Sequence, residues 1–290
     1  MNIYIICSIK SGGSYKYILD LLPNYEKHFF IKNKIELKRM APIIKDDILL
    51  LQHIIGYNFC FDYLINIIKK YNIKLIIPIH DFYFINTYHG NTYHVYNIHT
   101  IPTHCNLNIE LFKIAKQIIF PSNFMYNIFS QYFINDNMLV QYHNDKIDYD
   151  KNTIIPKINN NINIGIIHHV NKIKGEDIYL ELINKPYNFH IFGKADKNKF
   201  NKKNVFLHGK YKEDEIYSLL IKNNIHGLLF LSNTPESYCY ALTKGINSKL
   251  PILYRDIGAI SERLALYTND RFIKYNDNLD EFINYIKENQ

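Results

Sequence analysis

Glu236 stands just past a break at 232–235 that ends the short apolar run Gly227-Leu228-Leu229-Phe230-Leu231. A run of that length suits a strand buried on both faces of a parallel sheet. The residues after the break read as a helix with Glu236 at its start. Unpaired backbone N–H groups and the positive end of the helix dipole would receive an anionic ligand there. A lone glutamate in that position also serves simply to complement the dipole.

Three other stretches place polar or small residues just past an apolar run. Ser11-Gly12-Gly13-Ser14 follows Ile3-Tyr4-Ile5-Ile6-Cys7, and paired glycines either let a backbone approach a ligand or make a sharp turn. No complete Gly-x-Gly-x-x-Gly fingerprint accompanies them. His53 and His80 follow the apolar runs 47–51 and 74–79, at strand ends of the kind where open parallel sheets bind ligands. A structural histidine with satisfied ring nitrogens is the plainer role for either. Lys172 and Lys174 lie in the loop 168–175. His89, His94, His99 and His104 recur every five residues, which on a helix turns successive side chains by about 140° and on a strand alternates faces. Neither geometry gathers them, so no metal site is predicted.

The elements that must position these residues alternate along the chain. Strands are predicted at 3–7, 47–51, 74–79 and 117–120, with helices at 15–22, 61–71, 110–116 and 124–132, the last capped by Ser122. A linker rich in Asp, Asn and Lys covers 145–161. The alternation then restarts, with strands at 162–167, 187–192, 205–208, 227–231, 250–254 and 271–275 and helices at 176–184, 212–223 and 279–288. The expected fold is α/β, with two Rossmann-like doubly wound domains, 1–150 and 151–290, facing each other across a cleft.

Composition narrows the function classes. A hydrophobic content of 47% in 290 residues excludes a disordered chain. The formal net charge of +7 favours anionic partners: nucleotide phosphates, an acidic membrane surface or nucleic acid. No nucleic-acid recognition motif supports the last. Lys27, Lys32, Lys34, Lys38, Arg39 and Lys45 form one basic cluster, the surface through which peripheral membrane contact would run. Cys7, Cys60, Cys105 and Cys239 have neither disulfide-framework nor metal-ligand spacing. With no signal peptide and no apolar run of ~20 residues, a cytoplasmic protein with reduced thiols is expected.

The segments SGGSYKYILDLL, LLLQHIIGYNFCFDYLINIIKKYNIKLIIPIHDFYFI, IIFPSNF, INIGIIHHVNKIKG, FHIFG, VFLHGKYKEDEIYSLL and PESYCYALTKGINSKLPILYRDIGAISER, in that order, resemble glycosyltransferases of the GT-B fold. The retaining family-four type (glycosyltransferase group 1) is the nearest likeness, and it spans nearly the whole chain. The resemblance implies transfer of a sugar from a UDP- or GDP-sugar co-substrate, without metal or other cofactor, to a glycan, protein-linked glycan or lipid-linked acceptor. The amino-terminal domain would be the acceptor side and the carboxy-terminal domain the donor side.

Carried onto this chain, the resemblance puts Gly12 and Gly13 beside the donor phosphates and His80 at the catalytic face of the first domain. Lys174 matches a diphosphate-binding lysine, and Glu236 matches the first of two glutamates, beside the donor sugar. Gly258 and Ala259 match a small loop that admits the donor. Ser237 and Tyr238 complete the implied donor site, together with two departures. His168 stands where relatives often carry arginine, and Lys244 replaces the second glutamate. Lysine cannot accept hydrogen bonds from ribose hydroxyls, although it reaches a phosphate. Asn86-Thr87 also stand where relatives often have Cys-Pro. A catalytically degenerate GT-B module that binds nucleotide or glycan without transfer is the alternative.

Overall fold

The computed structural model describes residues 2–7, 12–53, 61–82, 84–85, 105–133, 135–143, 146–149, 152–267 and 269–290. The predicted histidines 89, 94, 99 and 104 and the pair Asn86-Thr87 lie outside them. The chain divides into two compact units, Met1–Asn144 and Asp145–Gln290.

The first unit runs β1 (Ile3–Cys7), α1 (Gly12–Leu21), β2 (His28–Ile31), α2 (Lys34–Met40), β3 (Ile48–His53), α3 (Phe61–Tyr71), β4 (Lys74–Pro78), α4 (Cys105–Ile114), β5 (Gln117–Phe120), α5 (Asn123–Phe129) and β6 (Met138–Val140). The second runs β7 (Asn163–Ile166), α6 (Glu176–Leu182), β8 (Asn188–Phe192), β9 (Val205–Gly209), α7 (Ile216–Lys222), β10 (Gly227–Phe230), α8 (Tyr240–Asn247), β11 (Ile252–Tyr254), α9 (Gly258–Ala265), β12 (Phe272–Lys274) and α10 (Asp280–Glu288).

Each unit holds a six-stranded parallel sheet, in the orders β2-β1-β3-β4-β5-β6 and β12-β11-β10-β7-β8-β9. Helices cover both faces of each sheet, which is why the central strands are mostly apolar. Along β1, Tyr4 and Ile6 enter one core and Ile3, Ile5 and Cys7 the other. Along and just past β10, Leu228 and Phe230 face one side and Leu229 and Leu231 the opposite. In each sheet the chain winds outward first to one side and then to the other. The strand order therefore reverses between β1 and β3 and between β7 and β10. In open α/β sheets the crevice at such a reversal, beyond the carboxyl ends of the strands, is where ligands bind.

Several elements depart from expectation. The basic cluster at 27–45 folds as β2 and α2. Helix α2 is started by a reciprocal cap, with Glu36 N–H donating to Asn33 Oδ1 at 2.9 Å and Lys32 N–H to Glu36 Oε2 at 2.8 Å. Leu37 is its one fully buried residue, so the lysines mask the periodicity. Helix α1 begins at Gly12 rather than after the glycine loop, and β3 continues through Gln52 and His53, past the predicted strand end at residue 51. Ser122 does cap α5, accepting from Met125 N–H at 3.3 Å. Among the described residues no helix is long and apolar enough to cross a membrane.

Candidate functional site

In the second unit, Lys174 on the loop after β7 and Glu236 on the loop after β10 meet at the strand-order reversal. Their side chains form an ion pair, Lys174 Nζ to Glu236 Oε1, and Ser232 Oγ donates to the same carboxylate oxygen at 2.9 Å. Backbone geometry brings the two loops together. Asn233 N–H and Thr234 N–H both reach the Ile173 carbonyl, at 2.9 and 3.3 Å, and Asn233 Nδ2 donates to Lys172 O at 3.2 Å. Arg255 grips the second loop through Ser232 O and Asn233 Oδ1, at 3.3 and 3.0 Å.

The expectation that Glu236 sits at the start of a helix is corrected: α8 begins four residues later, at Tyr240. Cys239 adopts a left-handed φ of 69°, which sets the entry to α8. That turn is held by Arg263, whose buried guanidinium donates to Tyr238 O at 3.0 Å, Cys239 O at 2.7 Å and Thr243 Oγ1 at 2.7 Å. Glu236 is thus fixed by side-chain partners and by its neighbours, not by the helix dipole.

Gly258, at the start of α9, has φ +62°, and a Cβ there would lie 2.7 Å from Pro235 Cβ and 2.9 Å from Glu236 N. Ala259 N–H donates to Glu236 O at 3.0 Å. The small residues Gly258 and Ala259 therefore let α9 close on the backbone that carries Glu236.

Burial opposes both charges of the ion pair. For Glu236 the Lys174 charge and the hydrogen bonds from Lys174 and Ser232 outweigh burial and hold the carboxyl below its ordinary range. For Lys174 the Glu236 carboxylate outweighs burial and raises the ammonium. Both stay ionised at neutral pH.

His168 is close enough to feel that pair but is occupied elsewhere. Its Nδ1 lies 3.0 Å from His169 O, and a carbonyl can only accept, so Nδ1 carries the proton. Nε2, 3.2 Å from Tyr179 OH, is then the acceptor of that hydroxyl. The Tyr179 oxygen in turn accepts from Leu231 N–H at 3.0 Å. Burial first, then the Lys174 charge, push the His168 pKa down to about 4.

The other implied donor residues scatter. Lys244, on α8, lies 3.7 Å from Glu213 Oε2 and over the Tyr211 ring. The Tyr238 side chain is buried under the Arg263 guanidinium, 3.9 Å from ring centroid to Cζ. Ser237 is half-buried beside Glu236.

In the first unit, Gly12 and Gly13 open α1 past β1, and His80 lies two residues past β4. Gly12 has φ +77° with nothing within 4 Å of an added Cβ, so its requirement is conformational. His80 belongs to a cluster that sequence reading missed. Tyr17 of α1 and His143, beyond β6, lie with ring centroids 4.9 and 5.6 Å from that of His80, and Gln52 Nε2 is 3.0 Å from His80 Nε2. The polar Gln52 closing the run Leu49-Leu50-Leu51 was the available signal. Among the described residues, no group of three or more His, Cys, Asp or Glu could hold a metal ion.

Low pH is expected to destabilise the second unit. His168 and His190 both titrate near 4 in the folded chain; burial is the first cause for each, with His208 and His226 adding to it at His190. Unfolded, each would titrate near 6.5. Stability is therefore full above about pH 6.5 and declines toward pH 4, by roughly 2–3 kcal/mol per histidine. Urea unfolding at pH 7 and pH 5 checks this, and an unchanged midpoint would refute it.

Solved structures share this architecture. Anabaena HepE, in complex with UDP and glucose, superposes with a TM-score of 0.71 at 13% identity, over 99% of this chain and 89% of its own. The lipopolysaccharide outer core galactosyltransferase WaaB gives 0.64 at 11% identity, over 99% and 88%. A glycosyltransferase from Rickettsia africae gives 0.66 at 14% identity, over 99% and 88%. No family model matches the chain, and no curated protein matches it in sequence. Two six-stranded parallel sheets with interleaved helices, matched along nearly the whole chain, define the GT-B fold of glycosyltransferases.

Proposed function

We propose that the protein transfers a glycosyl group from a nucleotide-sugar donor to a hydroxyl acceptor, with the donor held by the second unit and the acceptor by the first. The observation that carries this reading is the Lys174–Glu236 pair at the β7/β10 reversal. HepE, solved with UDP-glucose, supports a nucleotide-sugar as the donor.

In the reaction, the bond between the sugar anomeric carbon and the diphosphate oxygen breaks, and negative charge grows on the leaving phosphate. Lys174 stabilises that charge. Positive oxocarbenium character develops on the sugar, beside the Glu236 carboxylate. The acceptor oxygen bonds to the anomeric carbon on the face the phosphate leaves, and its proton passes to the departing phosphate oxygen. Configuration is then retained.

Binding without transfer is the second reading, favoured by His168, whose ring nitrogens are both engaged, and by Lys244 lying against Glu213. One experiment separates the two. UDP or GDP at about a hundred times its Kd is expected to stabilise the chain by about 2.7 kcal/mol, seen as a thermal shift of a few degrees. UDP-, GDP- and dTDP-sugars are then offered with free glycan, glycoprotein or lipid-linked acceptor in vesicles. Nucleotide release with sugar incorporation supports transfer; a thermal shift with no turnover on any pair supports binding alone.

A further inference from the structure

We propose that Gln52 is a positioning residue that locks His80 in its neutral, Nδ1-protonated tautomer. Gln52 is the penultimate residue of β3, and the β1–β3 register slips there: Ile6 pairs with Leu51 but Cys7 with His53. Gln52 is the extra residue of this bulge, a device that re-aims a side chain at a strand end. The bulge lies at the strand-order reversal of the first sheet, next to β4, which delivers His80. Gln52 is 2% exposed, so its amide hydrogens must be used inside the protein.

The amide orientation follows from its partners. Gln52 Nε2 donates to the Ser14 carbonyl on α1 and also faces His80 Nε2 at 3.0 Å. Turning the amide over would set Oε1 against the Ser14 oxygen, two acceptors together. The NH₂ group therefore spends one hydrogen on Ser14 and the other on the imidazole. His80 Nε2 must then supply a lone pair, and the neutral ring carries its proton on Nδ1. An imidazolium would oppose N–H to N–H, so the contact also disfavours protonation.

One consequence rests on the glycosyl-transfer reading. On that reading His80 would not act as a general base through Nε2, whose lone pair Gln52 holds. The lock itself stands or falls without that reading, because it is a property of the free protein.

Imidazole-¹⁵N correlation spectra of the intact chain test it, with His80 assigned by its absence from His80→Asn. The expected wild-type pattern is protonated Nδ1 and bare Nε2 at pH 7. Gln52→Glu, which puts an acceptor in place of the donor, is expected to raise the His80 titration midpoint by about one unit or more. A wild-type ring protonated on Nε2 overturns the proposal without any variant. So does an unchanged midpoint in Gln52→Glu that keeps its wild-type circular dichroism. Turnover plays no part in the readout, so failure here and failure of the transfer reading are separate results.

Discussion

Lys174→Met is expected to lower turnover by roughly a hundred- to a thousand-fold and to destabilise the second unit by about 2–4 kcal/mol. Both effects come from one contact, but for different reasons. In the free protein, removing the ammonium leaves Glu236 with only Ser232 Oγ on its shared oxygen, and 14% of the carboxylate side chain is exposed. A charge that is mostly buried and loses its partner is strongly destabilising. On the transfer reading, the lost ammonium no longer meets the charge growing on the diphosphate. The double variant Lys174→Met with Glu236→Gln separates the two effects. With neither charge left unpaired, its urea midpoint is expected to recover part of the loss, while turnover stays low. Full turnover in the single variant, with stability reduced, would leave Lys174 a structural residue and remove the observation on which the transfer reading stands.

What was legible in the chain was mostly what repeats along it. The strand Ile3–Cys7, the helix Phe61–Tyr71 and the strand Gln117–Phe120 have the bounds that their apolar patterns predict. Helix α2 was hidden because one buried residue, Leu37, carries no visible period among the lysines. Glu236 was misread for a local reason: a carboxylate after a proline looks like a first turn, whereas a left-handed Cys239 delays the helix to Tyr240. Gln52 falls past the predicted strand because a glutamine ends an aliphatic run, and its bulge depends on the neighbouring strand. The largest gap is spatial. Tyr17, Gln52, His80 and His143 come from four separate stretches, and only the sheet order sets them side by side. The meeting of Lys174 with Glu236 likewise depends on β7 lying beside β10, which no local pattern encodes.

Gly175→Ala is expected to destabilise the second unit by more than about 4 kcal/mol and to abolish turnover with it. Two penalties coincide at this residue. Its φ of +84° costs an alanine about 1–2 kcal/mol. An added Cβ would also lie 2.0 Å from the Leu231 carbonyl oxygen and 3.0 Å from its carbon, a backbone obstacle with no rotamer to change. Leu231 cannot simply withdraw, since its N–H is bonded to the Tyr179 hydroxyl and its neighbour Ser232 holds Glu236. Gly209→Ala is the control within the same unit: φ is +76°, but nothing lies within 4 Å of the new Cβ, so only the conformational cost of about 1–2 kcal/mol should appear. The difference between the two urea midpoints therefore measures the close approach of the β7 loop to the end of β10. Equal losses would mean that the approach is not tight in solution. Lys174, adjacent in the chain to Gly175, would then be held against Glu236 by the Asn233 and Thr234 hydrogen bonds to Ile173 O and by the ion pair itself, not by close packing at Gly175.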